Sequence, residues 1–209
     1  MTGLTLIGIS SYFVENASSA GGFVFTPVTT DNFNRANETP IGVHWYRNYA
    51  ATNFNLSAST VVANALGNDT EWSYTTTAFA NDQYAQAAIT VSSASAGAGY
   101  GVSTRNGTLV LNPDTKYRCV VSKAASNNIE LGVRNSSAVY STLMTLTSAW
   151  NDGDILRLAS VSTTHYVYRN GTLLGSTTNA LLTAGRPGMT YSSTVDSGNI
   201  DSWEGGDVT

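Results

Sequence analysis

Asp154-Ile155-Leu156-Arg157-Leu158-Ala159, followed by Tyr166-Val167-Tyr168-Arg169 and then Asn170-Gly171-Thr172, is the stretch that decides the fold. Two β-rich runs, 154–161 and 164–169, are joined by Ser162-Thr163-Thr164, and a third run, 172–176, follows the Asn-Gly pair. Asn-Gly between such runs is the strongest short hairpin signal, because a type I′ turn needs positive φ at both central residues. Arg105-Asn106-Gly107-Thr108 repeats that chemistry, and Gly185-Arg186-Pro187-Gly188 supplies another turn before Met189-Thr190-Tyr191. The pattern is a meander of hairpins.

Working outward, further candidate strands fall at 54–63, 70–79, 84–92, 98–104, 108–111, 116–123, 129–134, 139–145 and 187–192, with a last one near 199–204. Turn signals about every 8–12 residues mark a sandwich or barrel. No window carries a 3.6-residue apolar stripe with caps, and no repeat of fixed period is present. The chain of 209 residues reads as all-β, one domain plus an arm.

Composition agrees. Charged residues make up 11% of the chain, against an average near 25%, while 24 Ser, 28 Thr and 19 Asn fill the gap. Lysine and glutamate favour helices, and here there are two lysines and five glutamates. A net charge of -4 and a pI near 5.0 exclude the basic footprint of a nucleic-acid binder. Cys119, the single cysteine, excludes an internal disulfide and a cysteine metal cage, and reads as a small buried hydrophobe. No apolar run reaches the roughly 18 residues of a membrane helix, so no membrane partner is expected.

Residues 1–29 form the arm. Its opening lacks any Lys or Arg before Arg35, which makes it a poor secretory signal. Leu4, Leu6, Ile7, Ile9, Phe13, Phe23 and Phe25 are its apolar anchors, with a small polar linker from Asn16 to Gly22. Such an arm either docks on another chain by strand addition or packs as a first strand on its own domain. The body is residues 30–209.

Several segments of the body resemble one family. Asp31-Asn32-Phe33-Asn34-Arg35 with Ile41-Gly42 and Trp45 looks like the opening of concanavalin A-like (laminin-G-like) jelly-roll domains of phage virion and bacterial surface proteins. Asn81-Asp82-Gln83-Tyr84-Ala85-Gln86, Gly99-Tyr100-Gly101-Val102 and Arg105 are similar to their central strands. Trp150, Gly153 to Leu158, Val167-Tyr168 and Asn170-Gly171 resemble their late hairpin, and Gly185 to Gly188, Ile200-Asp201 and Trp203 their closing strand. The resemblance implies two antiparallel sheets, one of them concave, in a jelly-roll sandwich used for glycan binding, glycan cleavage and virion architecture. It also implies core positions for Trp45, Trp150 and Trp203, and an ion in some relatives near the joined first and last strands, where Asp31 and Asp201 fall.

Cleavage of a glycan needs two carboxylates flanking the bond. The hydrolase branch of the fold carries Glu-x-Asp-x-x-Glu on one strand, and this chain has no such run. Glu71 and Glu130 are isolated, and strand alternation sets Asp201 and Glu204 on opposite faces. His44 and His165 are the two bases for a serine triad; neither sits by a nucleophile elbow, and both read as strand histidines. Gly97-x-Gly99-x-Gly101 lacks a following helix and lysine, so it is turn and strand. A non-enzyme is expected, with no catalytic residues and no cofactor. Calcium is the one ion left open, at Asp31 and Asp201 or at Asn151-Asp152-Gly153-Asp154, although six to eight ordered oxygens are not in view.

Glycan binding calls for aromatics that stack on sugar faces and polar groups that fix hydroxyls. Trp72 and Tyr74 share one strand face, and Gln86, Arg105 and Glu130 are expected on the non-core face of central strands; these five are the candidate site. Tyr46 and Tyr49 stand in a loop-like stretch after Trp45. The seven Asn-x-Ser/Thr sequons are about what composition alone produces. Together these features lead to a non-catalytic bacteriophage virion surface protein: a capsid decoration, head fibre or tail-associated module. It would join other virion proteins or its own copies through the arm and bind a cell-surface glycan. The alternatives are a free-standing extracellular carbohydrate-binding module and a glycan hydrolase.

Overall fold

Asn170 and Gly171 turn as their chemistry requires, with φ of 48° and 77°. The computed structural model of the chain describes residues 22–42, 44–48, 53–63, 70–91, 99–107, 115–122, 128–192 and 198–209. Among them are fifteen strands and no helix. The deciding hairpins are β11 (Asp154–Val161), β12 (Thr164–Arg169) and β13 (Thr172–Thr178), joined by tight turns at 162–163 and 170–171.

These three lead the first sheet. It continues through β6 (Gln83–Val91) and β15 (Gly198–Val208) to β4 (Thr60–Ala63) and β3 (Phe54–Ser57). β1 (Phe25–Asp31) also pairs with β15, from Phe25 opposite Val208 to Asp31 opposite Trp203. The second sheet runs β10 (Tyr140–Thr147), β9 (Asn128–Arg134), β8 (Lys116–Ser122), β7 (Gly99–Asn106), β14 (Arg186–Ser192), β5 (Thr70–Tyr74) and β2 (Trp45–Arg47). Every pairing is antiparallel.

Alternation builds the core between the sheets. Ala85, Ala87 and Ile89 of β6, Leu156 and Leu158 of β11, Tyr117, Cys119 and Val121 of β8 and Ile129, Leu131 and Val133 of β9 all face inward and are buried. Trp203 stands at its centre, fully buried, 4.8 Å from the Trp45 ring edge-on and 5.5 Å from Tyr74 stacked. Trp45 and Trp150 belong to the same core. Cys119 is buried there, and burial pushes its thiol well up.

Four places differ from the sequence reading. The boundary at residue 30 falls inside β1: the pairing with β15 begins at Phe25 because Thr26 and Thr29 carry the strand through Pro27, across a register shift between 27 and 29. Phe23 and Phe25, expected as anchors for a partner, pack on this domain itself. Phe23 lies edge-on to Tyr166 at 5.0 Å, and Phe25 to Tyr84 at 5.2 Å and to Tyr168 at 5.6 Å. Leu4, Leu6, Ile7, Ile9 and Phe13 lie outside the described residues, as do Tyr49 and the strand expected at 108–111.

The run expected at 70–79 leaves the sheet after Tyr74, where Arg186 donates to the carbonyls of Tyr74, Thr75 and Thr77. Alternation also fails across β15. A register shift lies between Ile200 and Ser202, so Ile200 and Trp203, three apart, are both core residues. The placing of Asp201 and Glu204 on opposite faces does not survive that bulge.

Candidate functional site

At the β2 edge of the second sheet the segment before β2 is tied down on both sides. Glu38 and Leu56 exchange backbone bonds of 3.1 and 2.9 Å, and the Ile41 amide donates to the Phe54 carbonyl at 2.8 Å. The Glu38 carboxylate accepts from Arg35 Nε at 2.9 Å and from the Gly42 amide at 2.6 Å. The Arg35 guanidinium holds that carboxyl below the usual range. Asp31, at the end of β1, accepts from Arg35 at 2.6 Å, from the Trp45 indole at 3.0 Å and from the Phe33 amide at 2.9 Å.

These ties leave a cleft of about 560 Å³ between residues 40–42, β2, Asn53 and β5. Its lining is Pro40, Ile41, Gly42, Trp45, Tyr46, Arg47, Asn53 and Trp72. Arg47 and Trp72 are register partners across β2 and β5. Arg47 is half-buried, and its Nη1 donates to Asn53 Oδ1 at 2.5 Å. Trp72 is 4% exposed, and its Nε1–H has no acceptor among the described residues. A buried donor left unpaired costs about 1–3 kcal/mol, so such a group asks for a reason.

The five expected site residues do not share a surface. Trp72 borders the cleft. Tyr74, two residues on, faces the interior against Trp45 and Trp203. Gln86 lies on the outer face of the first sheet, where it accepts from Arg157 Nε at 2.6 Å and donates to Glu204 at 3.0 Å. Arg105, next to last in β7, has φ of 52°, is 1% exposed, and donates to the carbonyls of Asn81 and Leu182. Glu130 lies on the outer face of the second sheet and accepts from the Tyr140 hydroxyl at 2.8 Å. Gln86 and Glu130 are on opposite sheets because β6 belongs to the first and β9 to the second. A single sequence does not reveal that division.

Arg47 and Asn53 are the cleft residues that sequence reasoning missed. Trp45-Tyr46-Arg47 is too short a strand to show alternation; its Trp45 reads as a core position and its Tyr46 as the aromatic of a loop, and nothing in the sequence marks Arg47.

Two polar clusters invite a catalytic reading. On the outer face of the first sheet, Glu204 accepts from Tyr84 at 2.6 Å as well as from Gln86, and Arg157 lies 4.3 Å over the Phe25 ring. Burial raises the Glu204 carboxyl above its ordinary value. At one end of the interior, Thr104 and Ser160 hydroxyls meet at 2.6 Å, Ser160 Oγ is 2.9 Å from His165 Nδ1, and His165 Nε2 is 3.1 Å from the Asn179 carbonyl. A carbonyl accepts, so Nε2 carries the proton and Nδ1 accepts from Ser160. His165 is fully buried beneath Tyr117, and burial pushes its pKa down to about 4. No carboxylate contacts this histidine among the described residues, and no substrate reaches the serine. His44 is exposed and stacks on Tyr74.

For calcium the fit is poor at Asp31, whose oxygens already serve three donors; an ion would have to displace Arg35 and the Trp45 indole. Asp154 likewise accepts from Arg169, Asn170 and the Asn151 amide, and Asp201 is exposed. Among the described residues no three His, Cys, Asp or Glu side chains gather.

The architecture has known counterparts. Carbohydrate-binding module CBM66 from Bacillus subtilis matches with a TM-score of 0.56 at 12% identity, covering 79% of this chain and 94% of that one. The exoplasmic/lumenal domain of VIP36 in its Ca2+/mannose-bound form matches at 0.59 and 13%, over 78% and 82%. LamAcat from Zobellia galactanivorans matches at 0.58 and 10%, over 87% and 98%. No protein-family model matches the chain, and no curated protein matches it. At such identities the likeness is one of fold: two antiparallel sheets in a concanavalin A-like jelly-roll sandwich.

Proposed function

We propose that the chain is a non-catalytic, lectin-like glycan-binding module whose ligand enters the cleft between β2, β5 and residues 40–42. One observation carries this reading: Trp72 lines a cleft with Tyr46 and Arg47, and its buried indole N–H has no acceptor among the described residues. Aromatic surface together with a few convergent donors is what a sugar site needs. The fold is shared with a carbohydrate-binding module and with a mannose-bound lumenal domain, which supports the same ligand class. LamAcat, a hydrolase, also shares it. Here the paired carboxylates that hydrolysis uses are not assembled around the cleft, whose lining contains no Asp or Glu.

The finer proposal is a virion surface protein of a bacteriophage, attached through residues 1–22. Supporting it are the Ser/Thr/Asn-rich, lysine-poor composition and the apolar Leu4, Leu6, Ile7, Ile9 and Phe13. With Phe23 and Phe25 engaged on the domain itself, attachment falls to those five. Removing residues 1–20 should leave the melting temperature of the sandwich unchanged and abolish incorporation into particles or oligomers. Retained incorporation would favour a free-standing extracellular module instead. For the ligand, a glycan array probed with the full chain should give binders that are lost on Trp72→Ala. A blank array overturns the module reading.

A further inference from the structure

We infer that the cleft selects a sugar bearing a carboxylate, a uronic or sialic acid residue of a larger glycan. The inference rests on the reading of the domain as a glycan-binding module and adds the ligand's charge. Arg47 is the one charged residue among the eight that line the cleft, in a chain of net charge -4. Arg35, Arg105 and Arg169 sit against acids, Asp31 and Glu38, Asp82, and Asp154, while Arg186 is spent on three backbone carbonyls and Arg157 on Gln86 and the aromatic rings around it. Arg47 meets the neutral amide oxygen of Asn53 instead, and no carboxylate pairs with it among the described residues.

A guanidinium presents a planar fork of donors that a carboxylate matches with two parallel bonds, each stronger than a neutral hydrogen bond. Beside it, as its register partner, Trp72 has a buried N–H without an acceptor among the described residues. A ring oxygen or hydroxyl of the same sugar supplies that acceptor, and the half-buried Tyr46 offers aromatic surface to the ring's C–H face. A neutral sugar would satisfy the indole and leave the cation with its amide. A bare carboxylate would satisfy the cation and leave the aromatic wall wet. An acidic pyranose meets all three, and a cleft of about 560 Å³ is of a size that takes one.

Calorimetric titration of the full chain tests this with four probes: tri-galacturonate and 3′-sialyllactose, and their neutral counterparts galactotriose and lactose. At least one acid should bind tenfold or more tightly than its neutral counterpart, and which one does so identifies the source of the carboxylate. Arg47→Gln should weaken acid binding roughly 10- to 100-fold and neutral binding less than about twofold. Arg47→Lys, which keeps the charge and loses the fork, should fall between. Arg47 is half-exposed, so its variants should melt with the wild type; Trp72→Phe, which disturbs the core, should weaken acid and neutral sugars alike. Equal binding of acid and neutral sugars, unmoved by Arg47→Gln, overturns the selectivity and leaves the module reading standing. Binding of none of the four overturns the selectivity as well, and only a blank glycan array removes the module reading with it.

Discussion

On the outer face of the first sheet, Arg157 lies over Phe25, donates to Gln86, and shares its surroundings with Tyr84, Tyr168 and a buried Glu204. At the edge of the second sheet, Arg47 and Trp72 line a cleft in which one meets a lone amide and the other meets no acceptor. Both regions combine arginine, aromatics and an amide side chain. The first is closed over by Phe23 and Phe25, and its Arg157, Gln86, Tyr84 and Glu204 bond one another in a chain. The second leaves donors waiting. A polar cluster that balances itself is an element of stability; one that does not is where a ligand belongs.

The comparison assumes a stiff core shared by both regions, and removing its centre should break it most severely. Trp203→Ala deletes the ring that Trp45 and Tyr74 pack on and should cost roughly 3–5 kcal/mol in denaturant unfolding. Loss of less than about 1 kcal/mol would mean that the cleft wall does not lean on Trp203.

Next in size is the response to acid of the closed polar cluster inside the sandwich. His165 is held neutral with its pKa near 4, below its ordinary 6.5. The unfolded chain takes up a proton that the folded one refuses, so stability is full above about pH 6.5 and falls by about 3 kcal/mol as pH drops to 4. Glu204 acts in the opposite sense: its raised carboxyl pKa makes its burial less costly at low pH. Unfolding of His165→Gln across the same range isolates the histidine and should remove most of the fall. A profile identical to wild type would contradict a buried neutral imidazole.

Phe25→Ala asks whether the closed face is closed from within. Its ring is half-buried between Tyr84, Tyr168 and Arg157, so the loss should be about 1–2 kcal/mol, read from chemical denaturation. No change would return residues 23–25 to the role of a free arm.

The smallest effect on stability belongs to the open site. Arg47→Gln should alter unfolding by no more than about 0.5 kcal/mol while reducing sugar binding. A large destabilisation would make Arg47 a strut like Arg105 and erase the contrast between the regions.

What was legible in the sequence follows physical lines. The hairpins from Asp154 to Thr178 could be read because Asn-Gly at 170–171 encodes its own turn and alternation does the rest. β1 was less visible, since Pro27 and exposed threonines hide a strand whose pairing partner lies 172 to 183 residues away at the far end of the chain (from Asp31 opposite Trp203 to Phe25 opposite Val208). Asp201 and Glu204 were misread because a bulge shifts alternation without any local sign. Aromatic chemistry brought Trp72 and Tyr74 into the candidate set, both of which the core takes up, but gave no means of seeing that Trp72 also borders the cleft or of finding Arg47 across the strand pair. Strand faces are written in the sequence, whereas which sheet a strand joins is not. Gln86 and Glu130 were thus grouped although they look out from opposite sides of the molecule.

The central claim is that Trp72 and Arg47 wait for a ligand. The direct test follows the Trp72 indole N–H resonance while tri-galacturonate or 3′-sialyllactose is added to the full chain. The account predicts that this resonance shifts downfield and saturably on sugar addition, and that Arg47→Gln abolishes the shift at the same concentration. A Trp72 resonance that stays still while residues on either outer face move would contradict it.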